Sequence, residues 1–280
     1  MLNASRIFKR LRGDAVVHDS TQRLRRQIRS VKKMVAAQDT RLERMESMLA
    51  AVLAEAGTEQ PESSSPAQAA PRTSEDVGSW RDVAQPGELS FHKRPNDRSE
   101  PYWEELNAAL WQRFDFEPHG WDEKLIVDIG AGSRLRTLYF EGARIAAVEP
   151  LADQFVDEVD WNDLDRAETL YSLPAETEIP ELVGQADLVV SINALDHGFN
   201  FEEAIENVRK YLKPDGLAFL SFDQHHQPDE MHPLVLTDPI VREIVTRCDL
   251  SVEKFSEEFR YHGGPGPQAL NYWLRPASVA

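Results

Sequence analysis

Between Thr21 and Val52 the apolar positions recur every seven residues, with Ile28, Val35, Leu42 and Leu49 on one line and Leu24, Val31, Met45 and Val52 on the other. Thr21 and Gln38 interrupt the pattern. A heptad seam of this length buries a narrow stripe against a second helix, so it predicts a coiled coil and a homo-oligomer; β-branched Ile28 and Val35 favour a parallel dimer. The competing reading is one amphipathic helix packed on its own domain. Ahead of the seam, Arg6-Ile7-Phe8-Lys9-Arg10-Leu11-Arg12 mixes basic and apolar residues at helical spacing, which suits peripheral contact with an anionic membrane.

From Gly57 to Gly87 the apolar signal fades into Pro, Ser, Glu, Ala and Gln, a composition that predicts a flexible linker. Beyond it, Glu100 to Phe114 reads as a helix, and short apolar runs then alternate with helical patterns. The runs are Leu125–Ile129, Ile145–Val148, Thr169–Tyr171, Leu188–Ile192 and Leu217–Phe222, with a helix over Glu202–Leu212 stopped by Lys213-Pro214-Asp215-Gly216. Continuous apolar strands separated by helices predict a parallel sheet covered on both faces. Val252–Tyr261 and Ala269–Leu274, joined by Gly263-Gly264-Pro265-Gly266-Pro267, predict a closing hairpin. The chain thus divides into a basic head and coiled-coil helix (1–56), a linker (57–87) and an α/β domain (88–280).

Charge sharpens this division. The net charge of −17 is the sum of about +8 over residues 1–45 and about −25 over the rest. So acidic a domain repels phosphate backbones, which disfavours nucleic acid and leaves a small-molecule or glycan substrate. The sequence has no apolar run near the ~20 residues that cross a bilayer, no secretory-signal pattern, and a single cysteine, Cys248, so the expected location is cytoplasmic.

The segment richest in chemistry is Val127-Asp128-Ile129-Gly130-Ala131-Gly132, a strand entering a glycine turn, with Glu149 at the tip of the next strand. Glycines let a backbone approach a ligand, and a carboxylate at the second strand tip can accept hydrogen bonds from a ribose diol. Dinucleotide-dependent oxidoreductases share this logic but continue to a third glycine at a helix start, where this chain has Ser133-Arg134.

In this order and spacing the segments resemble the class I S-adenosylmethionine (SAM)-dependent methyltransferase family over about 180 residues. The first motif is similar to Val127–Gly132, the ribose carboxylate to Glu149, the adenine-side loop to Pro174-Ala175-Glu176, and the turn before the fifth strand to Tyr211–Gly216. The segment between the first two strands is short, and Asp215 replaces a commoner glycine. The resemblance implies a Rossmann-like α/β class I methyltransferase sheet, mostly parallel with an antiparallel last strand, preceded here by the coiled-coil helix. It also implies SAM as cofactor, with Asp128, Gly130, Ala131, Gly132, Glu149, Pro150, Ala175, Glu176, Asn193 and Ala194 as cofactor-binding residues. Its nearest likeness is to bacterial methyltransferases of sugars and cell-surface glycans.

Methyl transfer is an in-line attack on a sulfonium methyl, in which positioning dominates and a general base adds ~10²–10⁴-fold for a hydroxyl nucleophile. Candidate catalytic residues are His197, after the fourth strand, and Asp223, His225, His226 and His232, after the fifth, with Asp223 orienting a histidine. His197 could instead cap or hold a loop. Asp223, His225, His226 and His232 are all potential ligands, and two histidines with one carboxylate could hold iron or zinc, but adjacent His225 and His226 point apart in a regular strand, and no metal is assigned. His92, His119 and His262 read as structural. A non-catalytic SAM- or nucleotide-binding scaffold and a nicotinamide-dependent oxidoreductase are the competing functions. Deleting residues 1–56 is expected to lower the particle mass in light scattering while ligand binding by the remaining domain is retained; an unchanged mass would refute the oligomerising helix.

Overall fold

The computed structural model describes residues 77–78, 80–224, 231–259 and 268–277. The predicted basic head and coiled coil, the linker through residue 76, His225, His226 and the Gly-Pro turn lie outside the described residues. Seven strands form one sheet: β1 (Leu125–Ile129), β2 (Arg144–Val148), β3 (Thr169–Tyr171), β4 (Ala186–Ile192), β5 (Leu212–Asp223), β6 (Leu250–Phe259) and β7 (Gln268–Pro276). Their order is β3-β2-β1-β4-β5-β7-β6. The first five run parallel and β7 lies antiparallel between β5 and β6. This is the mixed sheet expected from the resemblance.

The helices are α1 (Gln85–His92), α2 (Trp103–Arg113), α3 (Ala152–Glu158), α4 (Phe201–Tyr211) and α5 (Asp238–Arg247). A wide helical turn, Trp80–Ala84, leads into α1. This ordered segment occupies the end of the stretch read as linker, where Pro86 at the first turn suits a helix start. Helix α4 is the most sharply amphipathic: Asn200 caps it by accepting from the Glu203 N–H, and Phe201, Ala204, Ile205, Val208 and Tyr211 are buried. Strand β5 starts at Leu212 rather than Leu217. Between the pairs Ala186/Leu212 and Leu188/Leu217 its register shifts, so Lys213–Gly216 bulges out within the strand instead of preceding it.

Alternation along the central strands explains their continuous apolar content. Val127, Ile129, Val189, Leu220 and Phe222 face one layer with α4 and α5, whereas Ile126, Leu188, Val190 and Phe219 face α2. A third cluster packs Ile145 and Ala147 of β2 against Leu135, Leu151 and Phe155. Trp111 is the centre of the α2 layer, wholly buried, with rings of Phe116 and Phe140 at 5.3 and 4.7 Å. Its Nε1–H donates to the Arg136 carbonyl at 2.8 Å, which anchors the connection between β1 and β2. Trp111→Ala should therefore lower stability by about 3–5 kcal/mol in urea unfolding; a loss under about 1 kcal/mol would show that this layer is not a packed core.

Candidate functional site

A cleft opens at the carboxyl ends of β1, β2 and β4. Its floor is the glycine turn. Gly130 and Gly132 have φ of +68° and +66°, in the left-handed region that favours glycine. A β-carbon on Gly130 would collide with the Ala194 side chain, so the turn and the end of β4 are in intimate contact. Asn193 closes β4, also at positive φ (+54°), with its N–H donating to the Ser221 carbonyl at 2.6 Å. Of the residues expected at the cofactor, Gly130, Gly132, Glu149, Pro150, Ala175, Glu176, Asn193 and Ala194 line this cleft.

The remaining two are placed differently. Ala131 packs into the cluster around Leu135 and Phe155. Asp128 is buried behind the turn, where its Oδ2 accepts from the Thr137 hydroxyl at 2.7 Å and so holds the short turn Arg136–Tyr139. Burial raises its pKa to about 6 even though the Thr137 bond and the Arg136 charge pull the other way. Asp128 supports the loop that forms the cleft floor rather than facing the cleft.

Glu149 is buried and bridges two backbone segments: Oε2 accepts from Gly132 N–H at 2.9 Å and Oε1 from Leu151 N–H at 3.0 Å. Each oxygen retains a lone pair that a ribose hydroxyl can use. Burial raises the Glu149 pKa to about 7 against those two bonds. Glu176 Oε1 accepts from Phe199 and Asn200 N–H at 2.8 and 3.1 Å, which ties the Pro174–Glu176 loop to the start of α4; burial raises its pKa as well.

The roof comes from residues ahead of the sheet, to which the sequence reading assigned no site role. Trp80, Gln85, Glu88, His92 and Arg98 all line the cleft. The α1 helix is fixed to α3 where the His92 and Phe155 rings stand 4.5 Å apart, and to the glycine turn where His92 Nδ1 meets Ser133 Oγ at 2.8 Å. Burial, and next the Arg98 charge, lower the His92 pKa to about 3, so this imidazole is neutral. The start of the roof sits on the turn after β4, as Trp80 Nε1 donates to the His197 carbonyl at 2.8 Å. The advance signals were Trp80, Leu89, Phe91 and His92, with Pro86 suited to a helix start, in and just beyond the stretch read as linker.

Of the proposed catalytic residues, His197 and His232 come together, with ring centroids 4.4 Å apart at 54°. Glu88 Oε1 lies 3.0 Å from His197 Nδ1, and Asp196 Oδ2 lies 3.9 Å from His197 Nε2. Burial pushes the Glu88 pKa up, but the His197 hydrogen bond and charge, with His92 and Arg98, bring it below the usual value. The carboxylate beside this imidazole is Glu88, on α1. Asp223 is buried at the end of β5. His197 itself sits on a helical turn, Leu195–His197, and Asn200 takes the capping role at α4. His119 is exposed and pairs with Glu141.

Residues 127–220 match the family described as methyltransferase domain. No curated protein matches the sequence. The fold is similar to the 1,6-didemethyltoxoflavin-N1-methyltransferase of Burkholderia thailandensis, solved with 1,6-didemethyltoxoflavin and S-adenosylhomocysteine. The TM-score is 0.52 at 16% identity, over 76% of this chain and 95% of that one. It is also similar to a chain from the Haloferax volcanii complex of the Trm112 methyltransferase activator with a methyltransferase, with a TM-score of 0.51 at 12% identity, over 68% and 98% of the two chains.

The Glu149 environment sets a pH signature. A ligand that donates hydroxyls to this carboxylate favours its ionised form, so binding is coupled to loss of the proton held with a pKa of about 7. Calorimetric affinity for S-adenosylhomocysteine should therefore fall several-fold from about pH 8 to about pH 6, approaching tenfold per unit at the limit. Glu149→Ala should weaken binding by roughly 1.5–3 kcal/mol and flatten that profile; undiminished affinity would place the cofactor elsewhere.

Proposed function

We propose that this chain, which carries a methyltransferase domain of the SAM-dependent class I kind, methylates an oxygen of a sugar, glycan or other small molecule. The observation that carries the reading is the charge of the cleft. Glu88, Glu149 and Glu176 line it, while Arg98 is the one Lys or Arg among the described lining residues. Such a lining favours a ligand bearing positive charge over one bearing a pyrophosphate. The connection from β1 to β2 points the same way. It holds a short helical turn, Arg136–Tyr139, and no longer helix whose N-terminus could receive a pyrophosphate, which weighs against a nicotinamide cofactor.

When bound, SAM supplies a methyl group on a sulfonium that a nucleophile displaces in line. The chain's own residues do the rest. Glu149 accepts from the ribose hydroxyls, and Pro174–Glu176 flanks the adenine side. The α1 roof excludes water, and Arg98, beside Gly132, suits a carboxylate. Glu88, 3.0 Å from His197 Nδ1, favours a proton on that atom and leaves the Nε2 lone pair to activate an acceptor hydroxyl. The choice of oxygen rests on this imidazole, and the choice of a small or glycan acceptor on the net charge of about −25 beyond residue 45.

Purified protein should bind S-adenosylhomocysteine in calorimetry and form it from SAM when offered glycan or small-molecule fractions. Tight NADH binding in its place would overturn the reading, and binding without turnover on any fraction would favour a scaffold. His197→Ala is expected to lower turnover by ~10²–10⁴-fold with little change in cofactor affinity. Equal losses in both would instead assign His197 a structural role.

A further inference from the structure

Asp196, His197 and His232 converge from two loops, the turn after β4 and the segment between β5 and α5. One carboxylate oxygen and one ring nitrogen from each histidine lie within 4.8 Å of one another. The two rings are inclined at 54°, so they do not stack face to face. Asp196 is wholly buried, and the His197 side chain is 14% exposed.

A second feature points to a ligand at this place. Glu88 Oε1, on α1, stands 3.0 Å from His197 Nδ1, on the side of the ring away from Nε2, which faces Asp196 Oδ2 at 3.9 Å. A carboxylate this close to one ring nitrogen raises the basicity of the other, a support that metal-bound histidines commonly receive. We propose that Asp196, His197 and His232 bind one divalent transition-metal ion, with Glu88 steadying His197 from behind.

The donor set decides the class of ion. Two imidazole nitrogens and one carboxylate oxygen are borderline ligands suited to zinc, iron, cobalt or nickel, whereas magnesium and calcium take oxygen ligands. Metal–ligand bonds of about 2.0–2.2 Å set neighbouring donor atoms roughly 3–3.5 Å apart, so ligation draws this trio inward through modest side-chain rotation. Three protein ligands leave a coordination position open. His197 is the member of the trio that lines the cofactor cleft, so the open position is assigned to that side, toward an acceptor oxygen. Coordination there would lower the pKa of an acceptor hydroxyl, whose proton then leaves to solvent. Because one Nε2 lone pair cannot both bind a metal and accept a proton, the metal takes over the activating part given to His197 above, and the site rests on the methyltransferase reading only for what fills the open position.

The test uses the full chain, stripped with a chelator and titrated with Co²⁺ in the absence of cofactor. The expected result is one equivalent bound with visible d–d absorption, unaffected by excess Mg²⁺. His232→Ala and Asp196→Asn should each weaken binding at least tenfold, while His119→Ala, at an exposed histidine paired with Glu141, should leave it unchanged. Calorimetry with S-adenosylhomocysteine on the same variants checks that the cleft is intact. Wild-type protein that takes up no stoichiometric Co²⁺, or variants that bind it as the wild type does, would overturn the metal site. Retained S-adenosylhomocysteine binding in that case would leave the methyltransferase reading standing.

Discussion

The cleft depends on a carboxylate held between two backbone N–H groups. Glu149 joins the glycine turn after β1, through Gly132, to the chain entering α3, through Leu151. These segments come from neighbouring strands, and each needs an acceptor for a buried N–H that its own strand no longer supplies. One ion serves both, and the cost of burying it appears as a pKa near 7. Asp128 repeats the device one layer deeper, through Thr137. The strand tips are thus arranged around two buried acids, of which Glu149 alone lines the cleft, where a ligand's hydroxyls can favour its ionised form.

Much of this architecture was legible in the residues. The apolar runs at β1, β2 and β4 were legible because a strand buried on both faces is apolar at nearly every position, and Gly130, Gly132 and Glu149 announced a ligand-facing turn. Sequence reading lost ground where local signals compete. Lys213-Pro214-Asp215-Gly216 reads as a stop, yet pairing with β4 draws it into β5 as a bulge. Asp128 reads like Glu149, an acid near a glycine turn, but strand alternation turns it away from the cleft toward Thr137.

The roof was illegible for a different reason. Residues 80–92 lack a strong apolar stripe, because what α1 buries is polar: Glu88 and His92 make their contacts with His197, Arg98 and Ser133. A hydrophobic pattern cannot report a helix whose packing is largely hydrogen-bonded. The histidine cluster was hidden by distance along the chain. His232 looked like a partner for its sequence neighbours His225 and His226, whereas the fold sets it against His197.

The rings and charges around Trp103 bear on how a ligand must lie. Arg98, Arg134 and Arg136 place their guanidinium groups 5.7, 5.3 and 4.8 Å from this indole, stacking three cations beside the glycine turn of an otherwise acidic domain. Of the three, Arg98 alone lines the cleft, beside Gly132, whereas Glu149 and Glu176 line it from the tips of other segments. A zwitterion entering it therefore has one favourable heading, its anionic tail drawn to Arg98, and the reversed pose is the costly one.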